Sequence, residues 1–246
     1  MARVVIFGAT SAIAAEVAAI HAARGDALHL VARDRAKLEA LAARLAVAGS
    51  QTTRADFDDP RACAALVEDV LGRSRGADVV LIAHGWLGDQ QKSEHDWDEA
   101  ERIIWTNFTS AVALLMPLAN HFEAASAGRL GVLTSVAGER GRPRNYTYGA
   151  SKAALSVYLQ GLRSRLHPAG VAVTNLKLGP VDTPMTRGHR KNALFARPQA
   201  VARDIVAAMD ARRAEVFVPR RWAAIMPIVR NTPEALFQRL RFLSGR

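Results

Sequence analysis

Short runs of β-branched and apolar residues recur along the chain and alternate with stretches whose apolar residues return at every third or fourth position. RVVIFG (3–8), ALHLVA (27–32), DVVLIA (78–83), RLGVLTS (129–135), VAVTNLKLG (171–179) and EVFVP (215–219) are predicted strands, and a short third strand in sequence opens TTRADFDD (52–59). Between the strands, Ile13, Val17 and Ile20 share one helix face, as do Leu38, Leu41 and Leu45, and later Leu155, Leu159, Leu162 and Leu166. The strands are apolar almost throughout, as strands covered on both faces must be, and their alternation with helices predicts a parallel sheet. The fold class is α/β, a doubly wound parallel sheet with helices on both faces in a single domain. Residues 1–219 carry this pattern. Residues 220–246 form a basic amphipathic tail that belongs to the same domain or to an interface, and 183–198 is the longest irregular stretch.

Composition narrows the picture only modestly. Half of the 246 residues are hydrophobic, enough for a sizeable core. No run of about 18 uncharged apolar residues and no cleavable leader is visible, so the expectation is a cytoplasmic protein, with contact at the inner membrane surface as the variant that the tail suggests. The single Cys63 has no disulfide or metal-ligand companion, and no metal site is expected. A formal charge of +10 points to acidic partners, yet the arginines are spread out. With no aromatic-interleaved basic platform and no zinc or helix-turn-helix spacing, nucleic acid is not expected as a partner.

Candidate chemistry begins after the first strand, at GATSAIA (8–14). A Rossmann-type dinucleotide site needs small residues here, because the backbone turns tightly, approaches a pyrophosphate and presents helix-start amides to it. Gly8 fits the first role; Thr10, Ser11, Ala12 and Ile13 follow as cofactor-binding candidates, with Ala12 and Ala14 standing where later glycines would be. A plain strand-turn-helix is the alternative. At the end of the second strand, Arg33 takes the place of the acid that binds a ribose 2′-hydroxyl, which favours NADP(H) over NAD(H); a solvated helix-start arginine is the plainer reading. Asp56 and Phe57 are candidates for the adenine, with Asp56 alternatively a cap for the helix starting at Pro60.

GATSAIA, ADFDD, the Asn of WTNFTSA, TSVAGERG, YGASK and LGPVDTPM occur in that order, and with them the chain resembles the classical short-chain dehydrogenase/reductase family over nearly its full length. The resemblance implies hydride transfer between NAD(P)(H) and a carbonyl or secondary alcohol, with Ser135, Tyr148, Lys152 and Asn107 as catalytic residues, NADPH as the preferred cofactor and NAD as the alternative. It implies further cofactor contacts from Ala83, Gly85, Val181 and Thr183, together with Tyr148 and Lys152, and assembly as a homodimer or homotetramer. By that analogy Tyr148 is the proton donor, Ser135 hydrogen-bonds the carbonyl oxygen, Lys152 holds the nicotinamide ribose, and the Asn107 main chain helps hold a relay water. Spacing of four places Lys152 beside Tyr148 on one helix face, where an ammonium favours the phenolate and lowers its pKa. Two segments depart from the family pattern: Asn-Asn-Ala-Gly is Ile82-Ala83-His84-Gly85 here, and Pro-Gly is Leu178-Gly179.

The substrate is a small-molecule or lipid-linked carbonyl compound. Arg140, Arg142 and Arg144, between the catalytic Ser and Tyr, are expected to rim the pocket, and Arg187, His189, Arg190 and Lys191 to lie in the loop above it, which suits an anionic substrate as well as it suits ordinary solvated arginines. In the tail, Trp222, Ile225, Met226, Ile228 and Val229, then Leu236, Phe237, Leu240, Phe242 and Leu243, are predicted to form two short helices broken by Pro227 and Pro233, facing a membrane, the pocket or another subunit. AGERGRPRNYTYGASK, the run from Gly85 to Asp89 and this tail resemble reductases of polyprenyl-phosphoryl ketopentose, which implies a lipid-linked keto-sugar. A reductase of small ketones and a non-catalytic NADP(H)-binding regulatory protein are the alternatives.

Overall fold

The computed structural model describes residues 1–188 and 190–240. In chain order the elements are β1 (Arg3–Phe7), α1 (Ala12–Ala23), β2 (Ala27–Ala32), α2 (Arg35–Leu45), β3 (Gln51–Arg54), α3 (Pro60–Arg73), β4 (Val79–Ile82), α4 (Gln90–Ser93), α5 (Trp97–Ile104), a π-turn (Trp105–Thr109) and α6 (Ser110–Ala125). There follow β5 (Arg129–Ser135), a 3-10 turn (Val136–Glu139), α7 (Tyr146–Leu166), β6 (Ala172–Leu178), a short 3-10 turn (Pro184–Thr186), α8 (Pro198–Asp210), β7 (Glu215–Val218), α9 (Trp222–Asn231) and α10 (Glu234–Arg239). Each predicted strand is present within a residue or two of its expected ends.

All seven strands are parallel, in the order β3-β2-β1-β4-β5-β6-β7. Alternation along each strand divides the core in two. Val4 and Ile6 face α1, α2 and α8, where Ile13, Val17, Leu38, Leu41, Val201 and Ile205 are buried. Val5 and Phe7 face α3, α6 and α7, where Val67, Leu114, Leu118, Leu155, Leu159 and Leu166 are buried. The order reverses between β1 and β4, which opens a crevice at the carboxyl ends of these two strands. The helical run Trp97–Ala125 is long and apolar enough to cross a bilayer by length and composition, but here its face from Ile103 through Leu114, Leu118 and Phe122 packs on the sheet.

Local signals set the helix starts. Ser11, Asp34 and Asp59 cap α1, α2 and α3 by accepting from Ala14, Lys37 and Arg61 N–H groups at 3.1, 3.1 and 2.9 Å. The cap of α3 is therefore Asp59, and Asp56 is left free of that duty.

Much of the charge is structural. Arg3, Arg54, Arg73, Arg140, Arg163, Arg212 and Arg221 each donate to at least one backbone carbonyl. Several of these carbonyls lie at helix ends, where peptide oxygens lack helical partners and a cation is favoured.

The tail departs from expectation. Pro227 does not break it: α9 runs through this residue, because the helix is held by side-chain burial rather than by its own hydrogen bonds alone. Only Pro233 separates the two helices, as the residue before α10. Trp222, Met226, Val229 and Phe237 bury themselves with Val136 of the same chain, while Ile228 and Leu236 remain exposed. Gly179 makes this docking feasible, since any side chain there would occupy the place of the Trp222 indole. Phe242, Leu243 and His189 lie outside the described residues.

Candidate active site

The crevice at the β1/β4 reversal is a cleft of about 410 Å³. Gly8, Thr10 and Ser11 form its floor, Arg33 and Asp56 its outer wall, and Phe57, Ala83 and Gly85 its inner wall. Gly8 sits at φ +80°, in the left-handed region, and a Cβ there would stand 2.6 Å from the His84 nitrogen. Two loops of the chain meet here backbone to backbone, with no room for a side chain. Ile13 contributes differently from a contact residue: its side chain is in the core. It and Ala12 offer the first-turn amides of α1, which have no helical acceptor. Arg33 is exposed and makes no ion pair among the described residues, β2 ends at Ala32 without an acid, and Lys37 lines the same wall. The residues present thus fit a dinucleotide.

His84 was not anticipated as a site residue. It stands in the segment that lacks the family's asparagines, and that departure was the one signal available. Its Nε2 lies 2.8 Å from the Ser110 hydroxyl, which itself donates to the Thr106 carbonyl at 2.9 Å, so Nε2 carries the proton. The ring packs on Phe57 at 4.7 Å. A polar anchor between the β4 loop and α6 is thereby restored by a different side chain. Burial, helped by the Lys152 charge, drives the His84 pKa down to about 3. Trp86 and Arg102, stacked at 4.4 Å, and Met185 also line the cleft; Arg102 carried no sequence signal because its role depends on where α5 docks.

Beyond the cleft, β5 delivers Ser135 at its last position and α7 delivers Tyr148 and Lys152 from its first two turns. The Ser135 hydroxyl is near enough to the Tyr148 phenol to favour its ionised form; Ser135 Oγ donates to the Leu178 carbonyl at 3.5 Å and accepts from Ala137 N–H at 3.0 Å. Lys152 is buried, donates to the Leu133 carbonyl at 3.3 Å and lies 5.9 Å from the Tyr148 ring centre. Asn107 joins them: a Cβ on Gly85 would stand 2.9 Å from Asn107 Oδ1 and 3.3 Å from Lys152 Nζ. The Asn107 amide donates to the Trp86 and Ile103 carbonyls at 2.6 and 2.8 Å and its oxygen accepts from Trp86 N–H at 3.1 Å, so the side chain is fully engaged. It sits in the π-turn, where the Ser110 N–H reaches back to the Trp105 carbonyl.

Two expectations need correction. The Tyr148 phenol is not acidified by Lys152: burial pushes it up to about 12, the Ser135 hydroxyl pulling the other way, and burial brings Lys152 down to about 8. Arg140 does not rim the pocket but reaches into the C-terminal helices, donating to the Val229 carbonyl at 2.7 Å. Of the other cofactor candidates, Val181 is buried and paired with Ala196, and Thr183 N–H donates to Thr186 Oγ1 at 3.2 Å.

A doubly wound sheet with a nucleotide-shaped cleft at its reversal and a Ser-Tyr-Lys cluster beside it defines a Rossmann-fold oxidoreductase. Residues 2–194 match the family profile described as short chain dehydrogenase, and the chain belongs to that family. An uncharacterized oxidoreductase of Mycobacterium tuberculosis is 34% identical over 242 residues, 97% of each chain. One from the mprA 5′ region of Streptomyces coelicolor is 35% identical over 239 residues, 96% of this chain and 94% of that one. Among solved structures, a short-chain dehydrogenase from Sphingobium yanoikuyae in complex with NADPH superposes with a TM-score of 0.81 at 27% identity, covering 92% of each chain.

Neutral burial of His84 has a measurable consequence. An unfolded histidine titrates near 6.5, so below that pH the unfolded chain takes the proton first. Stability present above pH 6.5 is therefore lost as the pH falls toward 3, and His29, lowered to about 4 by burial, acts in the same sense. His84→Asn should flatten the slope of unfolding free energy against pH by about 1.4 kcal/mol per pH unit around pH 5, as measured by urea unfolding. An unchanged slope would mean that the imidazole is protonated in the fold.

Proposed function

We propose that the protein is an NADPH-dependent reductase that converts the carbonyl group of an anionic substrate to a secondary alcohol, and that it can run in reverse. The observation that carries this reading is the gathering of Ser135, Tyr148 and buried Lys152, the last 5.9 Å from the Tyr148 ring centre, beside the nucleotide cleft. Gly8, the first turn of α1, Arg33 and Asp56 would hold the cofactor, which when bound supplies the hydride. The chain's part is acid catalysis and charge stabilisation. Tyr148, kept protonated by burial, delivers its proton to the carbonyl oxygen as negative charge develops there, and the Ser135 hydroxyl donates to the same oxygen. Lys152 holds the cofactor ribose and, with its pKa brought near 8, passes a proton onward. Asn107, whose side chain is committed to Trp86 and Ile103, contributes its main chain to that relay. A pure binding module has no use for a buried Lys152 beside a hydroxyl pair. Tyr148→Phe should abolish NADPH oxidation with a ketone while leaving NADPH affinity, read by fluorescence titration, within about twofold; retention of a tenth of the rate or more excludes Tyr148 as the acid.

Preference for NADPH rests on exposed Arg33 and on the lack of an acid at the last position of β2, and the Sphingobium relative with bound NADPH supports it. Arg33→Ala should weaken NADPH binding by roughly 1.5–3 kcal/mol and leave NADH unchanged. Equal losses for both cofactors would show that Arg33 reads no 2′-phosphate.

The anionic group is inferred from Arg142. Of the three arginines between Ser135 and Tyr148, Arg140 is tied to the tail and Arg144 is exposed, whereas Arg142 has a buried Nε without an acceptor and no ion pair among the described residues. A partly buried guanidinium calls for an anion. A carboxylate or phosphate on the substrate answers this, while among the described tail residues the large hydrophobics exposed to a lipid chain are Ile228 and Leu236. In a screen of matched ketones with and without a carboxylate or phosphate, Arg142→Ala should raise KM for the charged member about tenfold or more and leave the neutral one unchanged. Equal effects on both dispose of the anion.

The buried thiol of Cys63 fits a cytoplasmic enzyme, and exposed Met116 on α6 and Val157 on α7 suit a homo-oligomer.

A further inference from the structure

The 3-10 turn Val136–Glu139 follows Ser135 directly, and both of its sides are in contact with something. Toward α7 the contact is backbone on backbone. A Cβ on Gly138 would stand 2.8 Å from the Ala153 nitrogen and 3.0 Å from the Lys152 carbonyl carbon, and one on Gly149 would stand 2.7 Å from the Ala137 oxygen. The helix turns that carry Tyr148 and Lys152 are thus pressed against the turn that seats Ser135.

On the other side lie the C-terminal helices. The Glu139 carboxylate, 5% exposed, meets Lys177 Nζ at 2.6 Å and Arg230 at 3.4 Å; Lys177, on β6 and equally buried, also pairs with Glu215 of β7 at 2.8 Å. Arg140 donates to the carbonyls of Val229 and Thr232 at the end of α9, pairs with Glu234 of α10 at 2.7 Å and lies 3.8 Å over the Phe237 ring. Val136 completes the contact by packing with Trp222, Met226, Val229 and Phe237. Three residues among the five after Ser135 therefore carry the docking of residues 222–239.

We propose that Glu139 and Arg140 are positioning residues, and that through them the docked C-terminal helices hold Ser135 in register with Tyr148. This rests on the catalytic reading above and adds to it a function for the tail: the segment is part of the catalytic apparatus. The physical ground is that Ser135 Oγ is oriented by the Ala137 N–H of this same turn. Anything that loosens the turn loosens the hydroxyl, and the Gly138 contact with α7 transmits the same movement to the helix bearing the phenol.

The test compares the full chain with Arg140→Gln by hydrogen exchange and by turnover of 2,3-butanedione with NADPH. Exchange across 135–149 should accelerate about fivefold or more along with that across 222–239, with 3–33 unchanged. The kcat should fall roughly tenfold at unaltered KM for NADPH, a split that mere loss of stability in a still-folded enzyme would not produce. Acceleration confined to 222–239, or acceleration reaching 135–149 with kcat unchanged, overturns the proposal. Should Arg140→Gln not fold, Arg230→Ala loosens the same clamp from an exposed position, and no change across 135–149 in that variant overturns it too. The exchange arm needs no substrate and decides alone if the probe is not reduced. Turnover by Tyr148→Phe at the wild-type rate would bring down the catalytic reading while leaving the measured coupling between tail and turn in place.

Discussion

The site depends on one close contact between backbones, the packing of Val136–Glu139 against the first turns of α7. Parallel strands deliver their side chains at one end of the sheet, but Ser135 comes from a strand and Tyr148 from a helix, and nothing in the hydrogen bonding of either fixes the distance between them. Gly138 and Gly149 do so by lacking side chains: each lets the opposing backbone approach to a distance that a Cβ would forbid. The same device recurs at the nucleotide end, where Gly8 lies against the His84 backbone, and at Gly85, which meets Asn107 and Lys152. Catalytic and nucleotide residues are thereby brought together through three places where backbone meets backbone and a fourth, Gly85, where the missing side chain leaves room for those of Asn107 and Lys152.

Burial then determines how the gathered groups behave. An ammonium beside a phenol lowers the phenol's pKa in water, yet here both are removed from solvent and each is pushed toward its neutral form. The phenol stays a proton donor and the lysine comes close to giving up its own proton. His84 is subject to the same pressure more strongly, and its one donated hydrogen bond serves to tie the β4 loop to α6.

Charge is distributed by a related rule. A net charge of +10 reads as a surface seeking an acidic partner, but guanidinium groups have five donors and a helix end has unpaired carbonyls. Arg3 reaches the Arg75 carbonyl just past the end of α3 and Arg140 gathers several from the end of α9, while Arg163 and Arg212 go to the carbonyls of Val173 in β6 and Gly170 before it. Among the described residues, Arg33 at the cleft has no ion pair, and Arg142 has a buried Nε without an acceptor.

The strands, their parallel pairing and the order of the motifs were legible in the residues, because apolar runs and 3.6-residue periodicity are local consequences of which faces must be buried. The family followed from Gly8, Asn107, Ser135, Tyr148 and Lys152, since a motif is a local pattern too. The sequence reading offered Asp56 as a cap for the helix from Pro60; the structure gives that role to Asp59, which directly precedes it. Pro227 looked like a break because helix propensity is local, while the burial of Trp222 and Met226 that overrides it involves residues more than forty positions away. The three loop arginines at 140, 142 and 144 were alike by position; their separate fates were decided by the docking of α9 and α10, a long-range packing event that no window of sequence contains. Whether a charged group ends in water, against a carbonyl or alone in the interior is a property of its surroundings, and those exist only once the chain has folded.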